Sequence, residues 1–129
     1  MGEMDLNTLL ATMEPVLAPD VYVFVTTKTP PDIPAVMRFE EAEGVTLILT
    51  RQTAEAAGLE FEFPCRMITL NVHSALEAVG FIARIATELA AKGMGVNPVA
   101  GFFHDHLFIP EDRVDDAMHV LTALAHSPR

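Results

Sequence analysis

Two imidazoles flank a carboxylate at His104-Asp105-His106, and these side chains are ordinary ligands for zinc and similar ions. If one extended strand ran through them, His104 and His106 would share a face. No third or fourth ligand stands at a telling spacing, however, and aspartate favours tight turns because its side chain bonds its own backbone. The triplet reads as a hairpin turn or an interface contact, with a metal-dependent enzyme built on His104 and His106 as the alternative. A second candidate is His73-Ser74-Ala75. Ser74 precedes Glu77 by three positions, the capping-box spacing that opens a helix, and the N–H groups and dipole of a helix start attract an anion such as an amino-acid carboxylate. A third is the run Asn97, Pro98, Val99, Ala100, Gly101 and Phe102, where two small residues permit close approach by a ligand or another backbone; a bulge or tight sheet packing accounts for them equally well. No nucleophile–base pair, P-loop or dinucleotide fingerprint is present, and Ser74 lacks the G-x-S-x-G context of a hydrolase elbow. The chain is expected not to be an enzyme and to need no cofactor or metal.

Periodicity supplies the elements that would position these residues. Residues 66–72 alternate apolar and polar like a half-buried strand. A helix is expected to begin just past His73 and to place Ala78, Val79, Ile82, Ile85, Ala86 and Leu89 on one face before stopping at Gly93. Residues 95–103 and 106–109 read as strands joined through His104-Asp105, and a last helix carries Val114, Ala117, Met118, Leu121, Leu124 and Ala125. In the first half, Asp5 caps a short helix with Leu6, Leu9, Leu10 and Met13. Residues 21–26 are strongly β-prone, and the proline-rich run 28–34 must be a loop. Residues 35–41 and 45–50 form a hairpin expected to place Val36, Leu47 and Leu49 in the core, and residues 51–57 a short helix ended by Gly58. Two helices on one side of an antiparallel sheet give the ferredoxin-like α+β arrangement, here short of its last strand. The halves echo each other: Leu47-Ile48-Leu49 and Leu107-Phe108-Ile109 stand 60 positions apart, as do the strands at 35–41 and 95–101.

Composition narrows the function classes. The 129 residues are 50% apolar, enough for a packed core. Eighteen acidic residues against eight Lys and Arg leave a net charge of −10, which opposes nucleic-acid backbones. Cys65 is the single cysteine, expected to be a small buried residue at a strand start, in a reducing compartment. The first residues carry neither a basic run nor an apolar core of a leader, and no stretch approaches the roughly 20 apolar residues of a membrane span. A cytoplasmic protein with no membrane or nucleic-acid partner is expected.

Three blocks together carry a family resemblance: Glu43-Gly44-Val45-Thr46-Leu47, Val72-His73-Ser74-Ala75-Leu76-Glu77-Ala78-Val79-Gly80, and Ala100-Gly101-Phe102-Phe103-His104-Asp105-His106. The second half, a strand followed by a helix of the form L-x-x-V-x-x-I-A-x-x-L-A-x-x-G and a G-x-x-V strand, resembles an ACT domain. The whole chain resembles small bacterial proteins made of two ACT-like units, a layout similar to the CASTOR-type amino-acid sensors. The resemblance implies a truncated ACT-like unit over residues 1–63 and an ACT domain over 64–129. It also implies a non-catalytic regulatory module that binds a small effector, most often an amino acid, at the junction of two such units. The ligand-binding residues expected from it are His73, Ser74, Ala75, Asn97, Val99, Ala100, Gly101 and Phe102; the alternative is a scaffold domain with no ligand. Many effector-binding ACT domains have a glycine in the loop before the first helix, where this chain has His73-Ser74-Ala75. The truncated first unit and the missing strand imply a homodimer, since open sheet edges are a liability.

Overall fold

The computed structural model describes residues 2–126. In chain order the elements are helix α1 (Leu6–Thr12), β1 (Glu14–Thr27), β2 (Met37–Glu40), β3 (Val45–Thr50), α2 (Arg51–Ala56), β4 (Glu62–Asn71), α3 (Phe81–Ala90), β5 (Asn97–Ala100), β6 (Asp105–Pro110), a single 3-10 turn (Glu111–Arg113) and α4 (Val114–His126). The chain forms two compact units. The smaller is Pro19–Cys65, and the larger combines the described residues up to Ala18 with those from Arg66 onward. Helix α1 therefore belongs in space with residues from the second half of the chain.

In the smaller unit the strand order is β2-β3-β1-β4. The β2–β3 hairpin pairs antiparallel from Met37↔Ile48 to Glu40↔Val45, and β3 pairs with β1 from Thr50↔Tyr22 to Val45↔Thr27. Val23, Val25, Val45, Leu47, Leu49 and Ala54 form its core, with Ile33, Leu59 and Phe61 against them. The run at 28–34 is a loop, as three prolines require. Thr50 caps α2 by accepting from the Thr53 amide, and Gly58 ends it at φ 68°, a left-handed value that glycine adopts without penalty. Cys65 is buried, its Sγ donating to the Tyr22 carbonyl oxygen at 3.3 Å.

The larger unit has the order β1-β4-β6-β5. The strand expected to be missing is present: the first residues of β1, up to Ala18, occupy the position beside β4. Each unit thus has the fourth-first-third-second order of a split βαβ sheet, although the fourth strand of the larger one comes from before it in the sequence. Helices α1, α3 and α4 cover one face, where Leu9, Leu10, Ile68, Leu70, Phe81, Ile85, Leu89, Leu107, Ile109, Ala117 and Leu121 pack together. Asp5 caps α1 by accepting from the Thr8 amide (2.9 Å) and hydroxyl (2.8 Å).

The internal echo holds residue for residue in register. Met37↔Ile48 recurs as Asn97↔Phe108 and Glu40↔Val45 as Ala100↔Asp105, 60 positions later on both strands. Burial recurs with it, at 45, 47, 48 and 49 in β3 and at 105, 107, 108 and 109 in β6.

Three expectations need correction. The helix expected from Ser74 begins only at Phe81, leaving Val79 82% exposed instead of in the core. The turn of the β5–β6 hairpin lies two residues earlier than expected: it is closed by the Gly101 amide donating to the His104 carbonyl oxygen at 2.9 Å, so Asp105 and His106 belong to β6. Val36, expected in the core, is 51% exposed before the short edge strand β2.

Candidate functional site

The loop joining β4 to α3 and the turn joining β5 to β6 meet at one end of the larger unit. Side chains from His104-Asp105-His106 bind this corner together. The His104 Nδ1 donates to the Val72 carbonyl oxygen at 3.3 Å, the Ser74 hydroxyl donates to Asp105 Oδ2 at 3.3 Å, and His106 Nδ1 lies 2.9 Å from Thr69 Oγ1. Ser74 and Asp105 are each only 9% exposed. Burial raises the Asp105 carboxyl above its ordinary value, opposed by the Ser74 hydroxyl and by the charges of His106 and His104. Burial lowers His106, helped by His104 and opposed by Asp105. Both imidazoles already have partners. Among the described residues no group of three or more His, Cys, Asp or Glu is placed to hold a metal.

Ser74 does not cap a helix. Residues 73–75 are held instead by the N-terminal segment: the Glu3 amide donates to the His73 carbonyl oxygen and the Ala75 amide to the Glu3 carbonyl oxygen, both at 2.8 Å, in a parallel bridge. With those groups engaged the chain turns again, the Ala78 amide donating to the Ala75 carbonyl oxygen at 3.0 Å. It enters α3 through Gly80, whose φ of 92° suits glycine alone, and no side chain caps this helix. Its first N–H groups therefore have no partner within the helix. The loop does contain a glycine, seven residues beyond His73, which sequence spacing could not place because the loop length was unknown.

Of the eight expected ligand residues, the structure brings His73, Ser74, Ala75 and Phe102 to this corner. The His73 ring lies 5.3 Å from that of Phe103, and Phe102 and Phe103 stack edge-on at 5.0 Å. Both phenylalanines are largely exposed, at 67% and 59%, as are Leu76 and Val79 in the facing loop. Gly101 makes the turn rather than a vacant wall: a Cβ there would stand 3.0 Å from the His104 carbonyl oxygen and 3.3 Å from His106 Nε2. Val99 and Ala100 lie along edge strand β5. Asn97 starts that strand, about 13 Å from Gly101 at roughly 3.3 Å per residue, so it does not join the corner. Phe103, Gly80 and the backbone of Glu3 are the participants that sequence reading missed. The block shared with the resembling family did include Phe103 and Gly80; nothing in the sequence signals Glu3.

Comparison with known proteins places this geometry. Two family models, each described as an ACT domain, match residues 1–66 and 62–123. A Vibrio cholerae protein of unknown function, described as a possible transport protein, is 38% identical over 94% of this chain and 96% of its own, with a TM-score of 0.85. A structural-genomics protein from Agrobacterium tumefaciens is 15% identical, with a TM-score of 0.73 over 89% of this chain and 90% of its own. The ligand-free regulatory subunit of aspartate kinase from Thermus thermophilus is 12% identical, with a TM-score of 0.67 over 89% of this chain and 97% of its own. Nothing among curated proteins matches the chain. No helix among the described residues is long and apolar enough to cross a membrane.

Proposed function

The chain belongs to the ACT-domain family, and on that premise we propose that it is a non-catalytic regulatory module whose effector is a free amino acid bound at the β4–α3 loop. The observation that carries this reading is the uncapped start of α3, entered through Gly80, beside a loop whose backbone polar groups face an extended segment. Backbone donors there suit a carboxylate in a chain with few cations. The exposed Phe102 and Phe103 offer apolar surface for the rest of the molecule. Likeness in fold to a regulatory subunit of aspartate kinase supports a regulatory rather than a chemical role.

The test is ligand-induced stabilisation. Each of the twenty amino acids is added separately, and a ligand present at about 100 times its Kd raises stability by about 2.7 kcal/mol, a shift of several degrees for a domain this size. No shift with any of them, either in this chain or in one whose 73–75 loop has been freed of its Glu3 bridge, refutes the effector reading. We also propose a homodimer, supported only by the exposed Leu76, Val79, Phe102 and Phe103, because residues 14–18 fill the strand position that would otherwise be open. A monomer mass by light scattering at tens of micromolar refutes that part.

A further inference from the structure

The bridge between Glu3 and the 73–75 loop has a chemical property that an ordinary strand contact need not have. Both of its hydrogen bonds come from one residue: the Glu3 N–H reaches the His73 carbonyl oxygen, and the Glu3 carbonyl accepts from the Ala75 N–H. Donor and acceptor therefore flank a single Cα. A free α-amino acid has the same arrangement, with an ammonium donor and a carboxylate acceptor on either side of one Cα, each carrying a full charge that strengthens its hydrogen bond. The loop thus presents a complementary pair, a carbonyl from His73 and an amide from Ala75, already occupied by a piece of backbone from its own chain.

We propose that residues 2–4 form a displaceable strap in which Glu3 imitates the α-amino and α-carboxyl groups of the effector, so that an amino acid binds His73 O and Ala75 N by replacing it. This rests on the effector reading above. Two observations support displacement. The side chains of Glu3 and Met4 point largely into solvent, so the strap is held chiefly by backbone. And the loop has anchors independent of the strap: Ser74 is tied to Asp105, and the Val72 carbonyl to His104. It keeps its shape when the strap leaves. Position 2 is fitted to the closed form, since a Cβ there would fall 2.4 Å from the Ala75 nitrogen.

Two variants open the strap by different routes. Gly2→Val cannot pack against Ala75, and Glu3→Pro removes the amide that reaches His73. Circular dichroism establishes that each is folded, and exchange at the Ile68 and Leu70 amides that the core is intact, while exchange at the Ala75 amide accelerates. Each variant is then titrated calorimetrically with the twenty amino acids singly. An amino acid that binds the full chain should bind both variants about tenfold more tightly, because no closed state competes; binding seen only in the variants supports the strap equally. In the full chain, saturation with that amino acid should expose the Glu3 amide to exchange while protecting Ala75. Equal or weaker binding to the variants, or a Glu3 amide still protected in the saturated protein, overturns the strap and leaves the effector reading standing. Failure of every amino acid to bind any of the three chains overturns both.

Discussion

Asp105 and His106 are neighbours on β6 whose ionisation pulls stability in opposite directions with pH. Asp105 is raised by burial, so the native state holds its proton more tightly than the unfolded chain does. Its stabilising contribution is full below the ordinary value of 3.8 and is lost as pH rises through the raised value. His106 is lowered by burial, so its contribution is full above 6.5 and is lost as pH falls through the lowered value. Asp105→Asn keeps an acceptor for the Ser74 hydroxyl and removes the charge. Its stability relative to the parent should grow as pH rises from about 4, measured by urea unfolding across pH; a constant difference would refute the assignment. Gly80 makes a separate prediction. At φ 92°, with only Leu6 Cδ2 near its absent side chain at 3.5 Å, Gly80→Ala should cost about 1–2 kcal/mol from backbone strain alone, read from thermal unfolding.

At the scale of elements, helix packing separates the residues that periodicity identified correctly from the one it did not. Leu121 on α4 is fully buried against the core of the larger unit, and Leu121→Ala should cost about 2–5 kcal/mol. Val79 carries the same apolar signal in sequence yet is exposed, so Val79→Ala should change stability by less than about 0.5 kcal/mol. Chemical denaturation of the two variants side by side tests the late start of α3, and comparable losses would place that start back near Ser74. The edge strands also show how exposed pairing groups are managed. Both β2 and β5 are four residues long; β2 carries Arg38 and Glu40, and β5 carries Pro98, which has no N–H to offer.

For the molecule as a whole, the recurrence of hairpin register at 60 positions means that two copies of one structural motif solve the same packing problem in their own units. Leu47 and Leu107 are equivalent in that repeat, and each is buried in its own core. Leu47→Ala and Leu107→Ala should each cost about 2–5 kcal/mol, by the same urea measurement, with neither position tolerant. If one of the two proved neutral, the repeat would be geometric only. The copies diverge after their first strand, which leads into a proline-rich loop in the smaller unit and into a long entry loop and ten-residue helix in the larger. The candidate site lies where that difference was introduced.

Local signals determined most of this architecture. Alternation marked residues 66–72, the 3.6-residue period marked the buried face of α4 and, in α3, Ile85 and Leu89 but not Phe81, Asp5 marked a helix start, and three prolines ruled out a helix at 28–34. The 60-residue echo was visible in two short apolar runs because packing in each unit demanded the same residues. Tertiary structure alone decided the rest. A capping-box spacing at Ser74 and Glu77 is a local preference worth about a kilocalorie per mole, and here it is overridden by a bridge to Glu3, about 70 residues away in sequence, and by the bond from Ser74 to Asp105. The fourth strand of the larger unit comes from residues 14–18, and no pattern within 64–129 could announce it. Periodicity reports which face of an element is buried, but not which distant segment will take its free backbone groups; in this protein, that pairing shapes the candidate site.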